Sequence, residues 1–134
     1  MSRKLPSCAF AAAVLLGSST AALAEGPFGR VHVAANRGEY VGNHCPITVV
    51  YSATINFEPH RRGLSFNYHW ERSDGAKGPV RVVRVSPGER SMLVRESWRL
   101  GRRGQEHDAT ATLYINSGDV HERHMSPTVH VVCR

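Results

Sequence analysis

Apolar and polar residues alternate along most of the chain, which is the pattern of β-strands that have one buried face. The clearest case is the segment from residue 63 to 72, where Leu64, Phe66, Tyr68 and Trp70 alternate with polar residues. Seven segments of this kind are predicted strands: residues 30–35, 45–57, 63–72, 80–85, 91–100, 107–116 and 128–133. No convincing helical period lies between them.

Turn-forming residues separate these segments, in clusters of Gly, Pro, Asp and Ser. A strand that is apolar on one side and polar on the other belongs to an antiparallel sheet with one face in water. Two such sheets must bury their apolar faces against each other. The sequence therefore predicts an all-β fold, an immunoglobulin-like antiparallel β-sandwich of about seven strands.

The N-terminal residues have the composition of an export signal. Arg3 and Lys4 precede an apolar run at residues 9–16, and the small residues Ala22 and Ala24 flank Leu23. The run is shorter than the roughly 18 to 20 residues that span a bilayer, and Cys8 lies on the wrong side of it for a lipid anchor. We expect a cleaved signal peptide at residues 1–24, a single domain at 25–134 without a transmembrane segment, and a periplasmic or secreted location.

Cleavage changes the cysteine count from three to two, leaving Cys45 and Cys133. An even pair in an exported chain predicts a disulfide. In the predicted topology the second strand starts, and the last strand ends, at the same pole of the sandwich, so the two cysteines can meet. Redox chemistry is the alternative, but no CxxC arrangement supports it.

Cleavage also removes two of the 17 basic residues and leaves 15 against 11 acids, a net charge of +4. An excess this small does not predict a nucleic-acid partner. Four arginines follow one another on the outward side and at the end of the fifth predicted strand: Arg95, Arg99, Arg102 and Arg103. They form a candidate patch for anionic envelope polymers. The alternative is that they pair with Glu71, Glu96 or Glu106.

Histidine is frequent, with eight residues in the chain, and His121 and His124 lie three apart next to Met125. We expect this segment in a loop before the last strand. Imidazole suits Zn and Cu, and a thioether adds a soft ligand for copper, so the three residues are a candidate metal site. Exposed loop histidines are the alternative, because a catalytic zinc needs three protein ligands. His69, which faces outward from its strand with Glu71, joins them only if that loop folds over the sheet.

No catalytic constellation is evident. Ser73, Asp74 and Gly75 suit a turn, and no GxSxG element or paired carboxylates occur. Trp70 and Trp98 fall on inward faces, where large rings fill the space between sheets. The sequence predicts a protein without enzymatic activity, catalytic residues or cofactor.

Two motifs, CPxTV from Cys45 and YxWxRSDG from Tyr68, precede Trp98 and the terminal Cys133. This pattern resembles a recurrent bacterial secreted immunoglobulin-like module. The resemblance implies the fold and an extracytoplasmic setting; it implies no assigned activity and transfers no catalytic residues. We therefore expect a non-enzymatic binding or structural module whose partner is an unidentified protein or envelope polymer. Metal binding stays an alternative. The candidate binding face consists of six outward or loop residues: His69, Glu71, Arg95, Arg99, Arg102 and Arg103.

Overall fold

The structure, a computed structural model, describes residues 26–134, and the predicted signal peptide lies outside them. It is all β, with ten strands: β1 (Phe28–Ala35), β2 (Glu39–Gly42), β3 (Ile47–Phe57), β4 (Leu64–Arg72), β5 (Arg81–Val85), β6 (Ser91–Leu100), β7 (Glu106–Ala109), β8 (Ala111–Ser117), β9 (Val120–Met125) and β10 (Val129–Cys133). Within this part of the chain, no helix has the length and apolarity needed to cross a membrane.

One layer of the sandwich is the antiparallel sheet β1-β3-β6. Strand β3 is central, and its alternate residues from Ile47 to Phe57 are buried. Its register with β6 is unbroken from Ile47 opposite Leu100 to Asn56 opposite Ser91. The period of two that predicts strand β3 therefore also sets which face of this sheet is in the core.

The other layer contains two hydrogen-bonded sheets in line, β5-β4-β8-β9 and β2-β10-β7. Strands β7 and β8 follow each other with only Thr110 between them. The next two strands return alongside them, β9 beside β8 and β10 beside β7. All pairings are antiparallel except that of β2 with β10, which is parallel. An edge strand that pairs in parallel with the last strand, beside this strand order, is typical of an immunoglobulin-like sandwich.

The join between β9 and β10 contains one extra residue. The N–H of Ser126 donates a hydrogen bond to the carbonyl of Ala111, and Val129 lies opposite Ala109. Pro127 and Thr128 together therefore face the single residue Thr110. The buried hydroxyl of Ser126 accepts a hydrogen bond from the backbone N–H of Ala111 at 3.0 Å. This is a β-bulge in which a side chain replaces a missing backbone partner.

The core lies between the layers and is continuous. Fully buried residues from both layers fill it, among them Val49, Tyr51, Ile55, Leu113 and Ile115. The phenolic O–H of Tyr51 has no protein partner among the described residues, and burial raises its pKa to about 12. Trp70 and Trp98 are both buried, as predicted.

The predicted disulfide between Cys45 and Cys133 is present, with Cα atoms 6.1 Å apart. It joins Cys45, two residues before β3, to the end of β10 at one pole of the sandwich. Gly101 packs against it: a Cβ at this position would lie 2.7 Å from the Sγ of Cys133, and its φ is +105°. Both the close approach and the positive φ require glycine here.

The fold class is confirmed, but three details of the strand prediction are wrong. Strand β2 was not predicted. The segment predicted as one strand over 107–116 is divided at Thr110. Residues 120–125, expected in a loop, form strand β9, because hydrogen bonds to β8 stabilise an edge strand whose sequence is mostly polar.

Candidate binding surfaces

The six residues predicted as one binding face lie on two different surfaces. His69 and Glu71 are on the outer side of β4, in the layer that contains β8 and β9. Arg95 and Arg99 are exposed on the outer side of β6, in the opposite layer. Arg102 and Arg103 are exposed in the turn that follows β6. The sequence identified outward residues correctly, but not which of them share a surface.

The outer side of the sheet β1-β3-β6 is cationic. Arg95 lies opposite Ser52, and Arg99 lies opposite Thr48, with Ser97 between the two arginines along β6. We call Arg95, Arg99, Arg102 and Arg103 the arginine face. The small side chains between the arginines leave both guanidinium groups open to a partner.

The four arginines of the arginine face form no ion pair within the described residues. No carboxylate oxygen lies within 4.0 Å of these four arginines among residues 26–134. Glu71 pairs instead with Lys77 at 3.2 Å, and Glu106 pairs with His130 at 2.7 Å. The alternative that these arginines pair with Glu71, Glu96 or Glu106 is therefore wrong.

The carboxylates of the strands are distributed unequally between the layers. Strands β1, β3 and β6 contain a single acidic residue, Glu96, which lies opposite the buried Tyr51 and so on the inner side of β6. The strands of the other layer carry the remaining strand carboxylates: Glu39, Glu71, Glu106, Asp108 and Glu122. One outer surface of the sandwich is therefore cationic, and the other is mixed.

A polar network covers the outer side of β4 and β8. The rings of His69 and Tyr114 are stacked, with centroids 5.0 Å apart and planes inclined by 7°. Hydrogen bonding with Tyr114, the largest cause, together with Lys77, lowers the pKa of Glu71. The same bond raises the pKa of Tyr114. His69 and Glu71 therefore both interact with Tyr114, and the three side chains form one ordered group.

The candidate metal residues do not come together. His121 lies opposite Asn116 on the outer side, where its Nδ1 bonds to the Asn116 side-chain oxygen at 2.6 Å. His124 lies opposite the buried Leu113 and pairs with Glu122 at 3.2 Å. Residues three apart on a strand point to opposite faces. Met125 is exposed on the outer side, and the described residues contain no group of three or more His, Cys, Asp or Glu side chains placed to hold a metal.

His130 lies in an acidic environment that the sequence did not reveal. On the outer side of β10, its Nδ1 is 2.5 Å from Asp108 and its Nε2 is 2.7 Å from Glu106. Glu39 of β2 lies in the same row of the sheet. Hydrogen bonding to Asp108, the largest cause, and the charges of Asp108 and Glu106 raise the pKa of His130. Both ring nitrogens donate to carboxylates only in the imidazolium form.

We expect an NMR titration to place the midpoint of His130 above its ordinary value of 6.5, and Asp108→Asn to lower it. A raised folded-state pKa means that the pairing stabilises the fold below pH 6.5, and that this contribution is lost as the pH rises through the raised pKa. Asp119→Asn, in the turn between β8 and β9, should leave the midpoint unchanged. An unaltered midpoint in Asp108→Asn would contradict the assignment.

A cleft of about 680 Å³ opens at the pole that carries the disulfide. Its lining comes from the residue before β3, the turn after β4, the end of β6 with the turn that follows it, and β7 with the residue before it: Pro46, Ser73, Asp74, Trp98, Arg99, Leu100, Gly101, Arg102, Gln105, His107 and Asp108. The Arg72 guanidinium lies over the Trp98 ring, 5.2 Å from its centroid. We call this the polar cleft. The polar cleft brings together side chains that are far apart in sequence, so no local motif predicts it.

The turn over residues 73–75 forms one wall of the polar cleft and has the predicted structural role. The Ser73 hydroxyl accepts a hydrogen bond from the Thr110 N–H at 3.1 Å, and Asp74 accepts one from the Ala76 N–H at 3.0 Å. Gly75 has a φ of +90°. These bonds hold the wall in a defined position beside the interruption between β7 and β8.

The strand order defines the chain as an immunoglobulin-like β-sandwich, closed at one pole by the disulfide. Among solved structures, the chain is similar to the CARDB domain of the PF1109 protein from Pyrococcus furiosus, which was crystallised in complex with di-metal ions. The TM-score is 0.54 at 14% identity, over 81% of this chain and 97% of that one, and at this identity the likeness shows the fold alone. No protein-family model and no curated protein matches the sequence.

Proposed function

We propose that the chain is a non-enzymatic binding module of the bacterial periplasm or extracellular space, and that its arginine face binds an anionic envelope polymer. The observation that carries this proposal is the absence of any carboxylate partner for the four arginines within residues 26–134. Guanidinium groups without an internal partner are free to make bidentate contacts with carboxylate, sulfate or phosphate groups.

The geometry of β6 suits an extended ligand. Arg95 and Arg99 are four residues apart on one side of a strand, a separation of about 13 Å at the usual strand rise. Arg102 and Arg103 follow in the exposed turn after β6. Charges spaced along a line favour a polymer with repeated anionic groups over a single small anion.

The extracytoplasmic setting is supported by the N-terminal signal pattern and by the disulfide, since disulfides persist in oxidising compartments. Metal binding gains no comparable support, because His121 and His124 lie on opposite sides of β9. The di-metal ions of the Pyrococcus furiosus domain are a property of that protein and have no matching donor cluster among the described residues.

The double variant Arg95→Gln/Arg99→Gln is expected to bind an anionic polymer such as dextran sulfate more weakly. Two exposed charge contacts contribute about 1 to 2 kcal/mol together, which corresponds to a roughly five- to thirtyfold rise in Kd. Isothermal titration calorimetry at low and high salt measures the effect. Binding by the unaltered protein should weaken with salt.

The matched control is Arg81→Gln/Arg84→Gln. Both arginines are exposed on β5 in the other layer, and this variant has the same net charge as the test variant. An equal loss of affinity in the control would mean that only total charge matters. Such a loss, binding that is independent of salt, or no binding at all would contradict the proposal.

A further inference from the structure

We infer that the polar cleft binds an acidic sugar unit, so that the polymer held on the arginine face is an acidic polysaccharide. This inference rests on the proposed function, because it names the class of polymer. The cleft and the arginine face are continuous: Arg99 and Arg102 belong to both. A chain lying along Arg95 and Arg99 therefore leads directly into the cleft.

The side chains of the polar cleft combine both signs of charge. Arg99 and Arg102 supply guanidinium groups, and Asp74 and Asp108 supply carboxylates. The Oδ1 atom of Asp74 is engaged by Arg72 and the Ala76 N–H, and that of Asp108 by His130, so the Oδ2 atoms are the ones left to accept hydrogen bonds. A polyphosphate offers only acceptor oxygens and has no hydroxyl that could donate to them. A uronic acid offers a carboxylate to the guanidinium groups and hydroxyls that donate to the carboxylates. The mixture of charges therefore selects an acidic sugar over a polymer of phosphate.

The polar cleft also has the size and the firm frame of a binding site. Its volume of about 680 Å³ falls within the roughly 300 to 1,000 Å³ of small-molecule sites. The disulfide and Gly101 fix one side, and the Ser73 and Asp74 hydrogen bonds fix another. Trp98, capped by Arg72, forms an apolar part of the lining. Groups held in place before binding lose little freedom when a ligand enters.

The test compares the Kd of a galacturonate oligomer with that of a polyphosphate of equal charge. The unaltered protein should bind the galacturonate oligomer more tightly. The variant Asp74→Asn/Asp108→Asn keeps an acceptor oxygen at each position but removes the negative charge. Hydroxyl groups donate more weakly to an amide oxygen than to a carboxylate, and phosphate is no longer repelled. The preference for galacturonate should fall by about fivefold or more.

The matched control is Glu39→Gln/Glu122→Gln, which removes two strand carboxylates of the same layer that lie outside the cleft lining. It should leave the preference unchanged. Arg95→Gln, also outside the lining, should weaken both polymers equally. If both polymers bind but the Asp74→Asn/Asp108→Asn preference equals that of the unaltered protein, the inference is overturned and the proposed function stands.

If neither polymer binds, the proposed function fails. NMR with a galacturonate trimer at millimolar concentration then tests separately whether the polar cleft binds an acidic sugar. Shifts of the Gln105 and His107 amides that disappear in Gln105→Ala would support an acidic-sugar site. An absence of such shifts would overturn this inference as well.

Discussion

Replacing Cys45 with serine is expected to lower the free energy of unfolding by about 2 to 5 kcal/mol. The disulfide joins residues 88 apart in sequence, so its removal releases a long loop in the unfolded chain. It also leaves the Cys133 thiol buried, with 2% of the residue exposed, at the end of the last strand. Urea denaturation of residues 25–134 measures the loss.

Thiol titration provides the control for this experiment. The unaltered domain of residues 25–134 should contain no free thiol, and Cys45→Ser should contain one. The double variant Cys45→Ser/Cys133→Ser should be destabilised to a similar degree, which separates the loss of the cross-link from the reactivity of a free thiol. Two free thiols in the unreduced, unaltered domain would contradict both the disulfide and the proposed setting.

Trp70→Ala is expected to destabilise the domain by about 3 to 5 kcal/mol. Trp70 is 3% exposed on the inner side of β4, opposite Leu113 of β8. Truncating it removes a large ring from the space between the layers and leaves a cavity that the rigid sheets close only partly. Chemical denaturation followed by circular dichroism measures the change.

Ser65→Ala is the matched control for Trp70→Ala. Ser65 is on the same strand but is exposed on the outer side, and its substitution should change stability by no more than about 0.5 kcal/mol. If the two variants were equally stable, the assignment of inner and outer sides along β4 would be wrong.

The inner faces of the long strands were predictable because burial on one side imposes a period of two. Phe66 and Trp70 on β4, and Leu113 and Ile115 on β8, show this pattern and are buried. Strand β9 was not predictable in the same way. Within residues 26–134 it pairs only with β8, and none of its residues is buried, so its sequence VHERHM carries no apolar alternation.

The candidate surfaces were predictable residue by residue but not as assemblies. Outward positions of Arg95 and Arg99 follow from alternation along β6. Whether an arginine meets a carboxylate depends on strand register, which the alternation along a single strand does not reveal. The acids around His130 show the same limit: Asp108 lies 22 residues away in sequence and meets His130 only because β7 and β10 pair in this register.

The extra residue between β9 and β10 has a consequence for how the last strand reaches its disulfide partner. His124 and His130 are both even-numbered, yet one lies on the inner side and the other on the outer side, because the phase of the strand is inverted between them. Without that inversion, Val129 and Val131 would be in water and Cys133 would point away from Cys45. The covalent closure of the domain therefore depends on a one-residue offset at Pro127 and Thr128, which lie six and five residues before Cys133.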